Sequence, residues 1–153
     1  QNCYSLYSKN RCSQEKKIDE FVSTRINDGI YQCLLSETPS KKKIAERNFA
    51  KAMHKLDSIL EEQKYLVGDF PTVPDWKFFV TLVRFDLVYS KLFLIKGYPL
   101  ADFKNIPSYL KRLLNFDQIS RTINFHEMVR GYYRTLGETE KLEEIISFID
   151  GMN

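Results

Sequence analysis

The sequence predicts an all-α domain, and three observations support this prediction. Apolar residues recur at intervals of three and four over most of the 153 residues, which is the spacing of amphipathic helices. No stretch shows the strict alternation of a half-buried strand. The segment from Trp76 to Val88 is apolar on nearly all sides, so other parts of the protein must surround it. We therefore expect six to eight helices packed around one buried central helix.

The central helix has a start signal in the sequence. Thr72 stands where an N-cap belongs, Pro74 lies in the first turn, and Asp75 follows the cap by three residues, as in a capping box. Aromatic and β-branched residues also suit strands, but a run near fifteen residues is too long for an ordinary buried strand. We therefore predict a helix that runs from this cap to about Tyr89.

Two amphipathic helices are predicted before the central helix. The first runs from about Lys16 to Leu35, and Gly29 in its middle indicates the close approach of another element or of a ligand. Pro39 and Ser40 mark a boundary, with Ser40 as the N-cap of a second helix over residues 41–63.

Shorter elements are predicted after the central helix. A loop over residues 91–99 leads into a turn at residues 101–104. The helices that follow are bounded by proline, glycine or short polar caps. They are expected at residues 108–114, at 117–123, from the cap Asn124 to near Gly137, and at 138–150.

The sequence divides into an arm and a helical domain. Residues 1–15 are mostly polar and show no clear period, so they are expected to form an N-terminal arm or an interdomain linker. Residues 16–153 are expected to form the domain. Because the first residue is Gln1 rather than Met, we expect either a longer polypeptide or numbering that starts at the first ordered residue.

Composition limits the classes of function. The net charge is only +3, and the basic runs Lys16-Lys17 and Lys41-Lys42-Lys43 suit solvated helix turns, so no nucleic-acid partner is expected. No apolar stretch reaches the ~20 residues of a membrane span. Three cysteines without metal-like spacing favour a reducing intracellular compartment, the cytoplasm or an organelle matrix. The two histidines lie far apart, and we assign no metal site.

A few polar side chains on apolar helices are candidates for binding. Arg84 and Asp86 interrupt the central helix, and pairing with an opposite charge explains them better than contact with a ligand. Cys33 falls on an apolar face, which predicts a buried structural thiol rather than a nucleophile. Four tyrosines offer rings and hydroxyls for flat aromatic substrates, although their helical spacing alone favours core positions. These tyrosines are Tyr31, Tyr89, Tyr132 and Tyr133.

Three blocks of sequence carry a family resemblance. They are Ile26-Asn27-Asp28-Gly29-Ile30-Tyr31, the capped segment from Gly68 to Tyr89, and Thr122-Ile123-Asn124-Phe125 through Tyr132-Tyr133. In this order they resemble the helical C-terminal domain of glutathione transferases, in particular the xi class, the glutathionyl-hydroquinone reductases. The resemblance implies that Tyr31 and one of Tyr132 or Tyr133 line a quinone pocket. Tyr89 and Arg84 complete our set of candidate substrate-binding residues, and no residue of the chain is assigned as catalytic.

The resemblance leaves two interpretations open. In the family, a separate N-terminal thioredoxin-like domain supplies the glutathione site and a reactive cysteine, and that domain lies outside this sequence. This chain also has Gly131 where the family has histidine. It is therefore either the substrate-binding half of a glutathione-dependent reductase of aromatic conjugates, inactive by itself and using glutathione only with such a domain, or a non-catalytic module that binds a protein partner. The resemblance also allows a homodimer, because relatives usually form one.

Overall fold

Six helices make up most of the residues that the structure describes. The computed structural model describes residues 12–92, 95 and 99–151, so most of the predicted arm lies outside the described residues. The helices are α1 at residues 12–34, α2 at Pro39–Glu62, α3 at residues 73–92, α4 at Ile106–Leu114, α5 at Phe125–Thr135 and α6 at Thr139–Asp150. Short 3₁₀ turns lie at Leu100–Asp102 and Ser120–Thr122. No strand occurs over these described ranges, and the all-α prediction is confirmed.

The central helix, α3, is buried as predicted. Phe78, Phe85 and Val88 are fully buried, and the Phe85 ring stacks on Phe49 of α2 with 5.8 Å between ring centroids. Phe49 also explains Gly29, because a Cβ at Gly29 would lie 3.6 Å from the Phe49 ring. The predicted close approach at this glycine is therefore the packing of α2 on α1.

Both α1 and α3 contain a π-helical stretch that the sequence did not predict. In α1 it covers Val22–Asn27, and in α3 it covers Phe85–Tyr89. A π turn holds one extra residue, so it changes which side chains share a face on either side of it. The π stretch of α1 packs against α3. Tyr31 follows the first stretch, and Tyr89 ends the second.

The start of α3 is fixed by a buried carboxylate. Asp75 accepts hydrogen bonds from the backbone N–H of Thr72 at 2.8 Å and of Leu66 at 2.9 Å. It also accepts from the Thr72 hydroxyl at 3.0 Å and from the Tyr109 hydroxyl at 2.8 Å. Burial raises the pKa of the Asp75 carboxyl, and the four donors act against this rise. The predicted capping box is therefore present, and it also connects α3 to α4.

A second carboxylate caps α4 from a distant part of the chain. Asp57 of α2 accepts hydrogen bonds from the backbone N–H groups of Asn105 and Ile106 at 2.8 and 2.9 Å. These N–H groups belong to the helix start, where no intrahelical acceptor exists. The Asn105 side chain does not cap its own helix and donates instead to the Asp57 carbonyl at 3.0 Å.

Three predicted boundaries were wrong. The N-cap of α2 is Thr38 rather than Ser40, because Pro39 occupies the first turn and the Thr38 hydroxyl accepts from the Lys41 N–H at 3.3 Å. The α1 helix already includes Cys12, the first residue that the structure describes, which lies four residues before the predicted start. The helix predicted at residues 117–123 is only a 3₁₀ turn, because Gln118 has a φ of 74°, which a right-handed helix cannot contain.

Candidate functional site

Three tyrosine hydroxyls from three helices meet beside the central helix. The Tyr132 hydroxyl of α5 lies 3.2 Å from the Tyr31 hydroxyl of α1 and 3.2 Å from the Tyr89 hydroxyl of α3. Their rings meet edge to face, with centroids 6.2 Å apart for Tyr31 and Tyr89 and 5.8 Å apart for Tyr89 and Tyr132. We call this group the tyrosine cluster.

A cavity of about 470 Å³ opens at the tyrosine cluster. Tyr31 and Tyr132 form part of its wall, and Tyr31 is 40% exposed. Tyr89 is only 4% exposed and stands behind them, so its hydroxyl supports Tyr132 rather than facing the opening. The rest of the wall is mainly apolar, which suits an aromatic ligand. It consists of Leu34, Arg84, Met128, Gly131, Thr135 and Leu136.

Burial sets the protonation of the cluster. Loss of solvent raises the pKa of Tyr31, and the bond to Tyr132 raises it further, whereas the contact with Tyr89 and, to a smaller extent, the Arg84 charge act in the opposite direction. The pKa of Tyr89 is raised much more strongly, first by burial and then by its bonds within the cluster. These two tyrosines therefore keep their protons at neutral pH, and each can donate a hydrogen bond.

The structure places Tyr132 and Tyr133 in different environments, which the sequence could not distinguish. Tyr132 lines the cavity, whereas Tyr133 is fully buried and donates to the Leu87 carbonyl at 3.1 Å. Burial raises the pKa of Tyr133 to about 12. Tyr133 is therefore part of the core, and the geometry favours Tyr132 as the residue of the pair that meets a ligand.

Arg84 has no ion pair among the residues described, so the predicted pairing with an opposite charge is not found there. It is half-buried, and its guanidinium donates to the Val80 carbonyl of the preceding turn at 2.6 Å. It also lines the cavity. Asp86 does not line it and accepts instead from the Leu100 N–H at 3.4 Å.

Cys33 has no part in the cavity. Its side chain is fully buried, and burial raises the pKa of the thiol to about 11, with a smaller contribution from the Glu46 charge. The thiol therefore stays protonated and unreactive at neutral pH. The prediction of a buried structural cysteine is confirmed.

Several wall residues were not predicted, although the sequence contained a signal for them. Met128, Thr135 and Leu136 stand four before, three after and four after Tyr132 in the chain. These intervals place Met128 and Thr135 on the face of α5 that carries Tyr132, and Leu136 caps the end of the helix next to them. Over the described ranges, no cluster of side chains could hold a metal ion, and no helix is long and apolar enough to cross a membrane.

Gly131 leaves an open place in the cavity wall. It lies inside α5, and a Cβ there would meet no atom within 4 Å. Gly131→Ala is therefore expected to raise the free energy of unfolding by about 0.5–1 kcal/mol, because alanine loses less backbone entropy in a helix. Urea denaturation measures the change. Gly137 is the matched control: its φ is +73°, so Gly137→Ala should destabilise the protein, and a stabilising effect there would contradict this explanation.

Comparison with known proteins points to one family. The family profile described as "Glutathione S-transferase, C-terminal domain" matches residues 22–102. The glutathionyl-hydroquinone reductase YqjG of Escherichia coli (strain K12) is 27% identical over 124 residues, which cover 79% of this chain and 38% of that enzyme. The glutathionyl-hydroquinone reductase PcpF of Sphingobium chlorophenolicum is 28% identical over 117 residues, which cover 76% of this chain and 37% of that enzyme.

Solved structures give the same result. A xi-class glutathione transferase from Natrialba magadii matches with a TM-score of 0.83 and 28% identity, over 87% of this chain and 42% of that chain. Glutathione transferase Xi 1 from Trametes versicolor matches with a TM-score of 0.80 and 30% identity, over 85% of this chain and 45% of that chain. The chain thus spans less than half the length of these relatives.

Proposed function

This chain belongs to the family of glutathione S-transferase C-terminal domains, and we propose that its cavity binds hydroquinone-type phenols as the substrate-binding half of a glutathione-dependent reductase. The observation that carries the proposal is the tyrosine cluster at the apolar cavity. Glutathionyl-hydroquinone reductases are among the relatives of this chain, which supports the same substrate class.

The tyrosine cluster suits the oxygen of a phenol. Tyr31 and Tyr132 present hydroxyls at the cavity wall, and both can donate to an oxygen that gains negative charge. Tyr89 is buried and keeps its proton, so it holds the Tyr132 hydroxyl in place from behind. The apolar side chains of Leu34 and Met128 offer contact surface for the ring.

The reaction needs a thiol other than Cys33. A thiolate attacks the sulfur of a glutathionyl-hydroquinone and forms a mixed disulfide with glutathione, while the bond between sulfur and the ring carbon breaks and the ring takes the electron pair and a proton. The buried Cys33 cannot act as this nucleophile, because its pKa is about 11 and it does not face the cavity. We propose that this chain binds and orients the ring, and that a thioredoxin-like partner domain and glutathione supply the sulfur chemistry.

The alternative is a non-catalytic module that binds a protein, and one observation favours it. Phe148 is 59% exposed on α6 and lines a groove of about 310 Å³ together with the apolar Leu87 and Ile145 and the charged Lys91 and Glu144. An exposed aromatic residue in a groove that combines apolar and charged groups is typical of a protein contact. In this interpretation the tyrosine cluster is a structural element and binds no phenol.

Titration with hydroquinone distinguishes the two functions. We expect the ring resonances of tyrosine-labelled protein to shift saturably under anaerobic conditions, with the largest shifts at Tyr31 and Tyr132. Tyr132→Phe should weaken binding about 5- to 10-fold, because it removes one hydrogen-bond donor worth roughly 1 kcal/mol. The matched control is Tyr133→Phe, which removes the bond to Leu87 in the core and should leave the Kd unchanged.

Two outcomes would count against the proposal. One is the absence of any tyrosine shift at millimolar hydroquinone, which would favour the protein-binding module. The other is an equal loss of affinity in Tyr132→Phe and Tyr133→Phe, since that would mean a general structural effect rather than contact at the cavity.

A further inference from the structure

We infer that Arg84 makes the cavity select phenols that also carry an acidic group, such as a carboxylate on the ring. This inference rests on the proposed function and names the substrate class more closely. It depends on where Arg84 lies, on what its guanidinium already binds, and on the shape of the space around it.

Arg84 lies where two cavities meet. The first is the cavity of about 470 Å³ at the tyrosine cluster. The second, of about 310 Å³, lies between α3 and the segment that leads into α5. Arg84 and Met128 line both of them. A ligand that places its ring against Tyr132 can therefore reach the guanidinium with a substituent.

With respect to the described residues, the Arg84 guanidinium has hydrogen-bond donors left for a ligand. Of its five N–H groups, the structure assigns one to the Val80 carbonyl at 2.6 Å. No carboxylate forms an ion pair with Arg84 in the described part of the chain. A half-buried, permanent positive charge in an apolar wall gains most from an anion that accepts two hydrogen bonds from its planar fork.

The charge also acts on the phenol site. The Arg84 guanidinium opposes the rise in the pKa of Tyr31, so its field reaches the hydroxyl that we place next to the substrate oxygen. The remaining walls of both cavities are mainly apolar and hold no acidic side chain. An anionic substituent near Arg84 therefore meets one positive charge and no repelling carboxylate.

The size of the space agrees with a substituted ring. A single benzene ring fills only part of a cavity of about 470 Å³. Phe79, Val83 and Ile123 line the second cavity, where a further apolar part of the ligand could lie. The resulting substrate class is an aromatic ring with a hydroxyl at the tyrosine cluster and a carboxylate at Arg84.

Calorimetric titration with three matched compounds tests the inference. They are hydroquinone, 2,5-dihydroxybenzoate, which adds one carboxylate to it, and methyl 2,5-dihydroxybenzoate, which has nearly the same shape without the charge. We expect 2,5-dihydroxybenzoate to bind about 10-fold more tightly than its methyl ester, the size of one charge-assisted contact. This ratio should fall toward one in Arg84→Gln, fall only partly in Arg84→Lys, because lysine keeps the charge but not the planar fork, and shrink at high salt.

Tyr132→Phe separates this inference from the proposed function. It should weaken the binding of all three compounds by a similar factor and leave the ratio of affinities between the acid and its ester unchanged. If hydroquinone binds but the acid and its ester bind equally well, the selectivity is wrong and the proposed function stands. If the ratio persists in Arg84→Gln, Arg84 is not the anion site. If none of the compounds binds, the proposed function fails, and the inference fails with it.

Discussion

Asp75→Ala is expected to lower the free energy of unfolding by about 3–5 kcal/mol. The carboxylate is fully buried and accepts four hydrogen bonds, which come from the backbone of Leu66, from the backbone and hydroxyl of Thr72, and from the Tyr109 hydroxyl. Its removal leaves these donors buried without an acceptor, and each such donor costs roughly 1–3 kcal/mol before relaxation. The loss also separates α4 from the start of α3.

Urea denaturation followed by circular dichroism at 222 nm measures this effect. Tyr109→Phe is the matched control, because it removes one donor and keeps the carboxylate with its other three bonds. We expect it to cost about 1 kcal/mol. Should Asp75→Ala and Tyr109→Phe cost the same, the network would depend on Tyr109 alone, and the capping role of Asp75 would be wrong.

Phe85→Ala is expected to lower the free energy of unfolding by about 3–5 kcal/mol, because it removes a fully buried ring and leaves a cavity between the central helix and α2. Phe85 stacks on Phe49 with an angle of 6° between the rings, and this contact is lost as well. Phe85 also begins the π stretch that ends at Tyr89, so a looser packing there should disturb the tyrosine cluster.

Thermal and urea denaturation of Phe85→Ala give the size of the loss. Phe85→Leu should cost less than half as much, since leucine fills most of the space. Phe148→Ala is the control on the surface: this ring is 59% exposed, and its removal should change stability by no more than about 0.5 kcal/mol. A small effect of Phe85→Ala would mean that α1 and α2 close over the space.

The capping of α3 could be predicted from the sequence because it is local. Thr72 and Asp75 lie within one turn, and the same spacing of three residues occurs wherever a capping box forms. The capping of α4 could not be predicted, because Asp57 lies 48 residues before Asn105. No local pattern distinguishes that aspartate from any other on an amphipathic helix.

The candidate site shows the same limit. The sequence indicated tyrosines on amphipathic helices, but the choice between Tyr132 and Tyr133 depends on the rotation of α5 against α3, which tertiary packing sets. The π-helical stretches could not be predicted either, because a turn with one extra residue fits the spacing of the apolar residues almost as well as a regular α-helical turn. The sequence favoured an ion pair for Arg84. Its position in a cavity wall could not be predicted, because the cavity exists only in the folded chain.

The number of hydroxyl hydrogens limits the hydrogen bonds that the tyrosine cluster can donate. Each hydroxyl carries one hydrogen, so Tyr132 can donate to only one neighbour at a time, although it contacts both Tyr31 and Tyr89. If Tyr132 donates to a ligand oxygen, it keeps both of these contacts by accepting from Tyr31 and from Tyr89 at the same time, which the two lone pairs of its oxygen allow. In the proposed complex the ligand oxygen then joins the chain of hydroxyls as a fourth member. In that arrangement the hydrogens of all three tyrosines are directed toward the ligand oxygen, directly or through Tyr132, so we expect the cluster to stabilise negative charge on that oxygen without losing an internal bond.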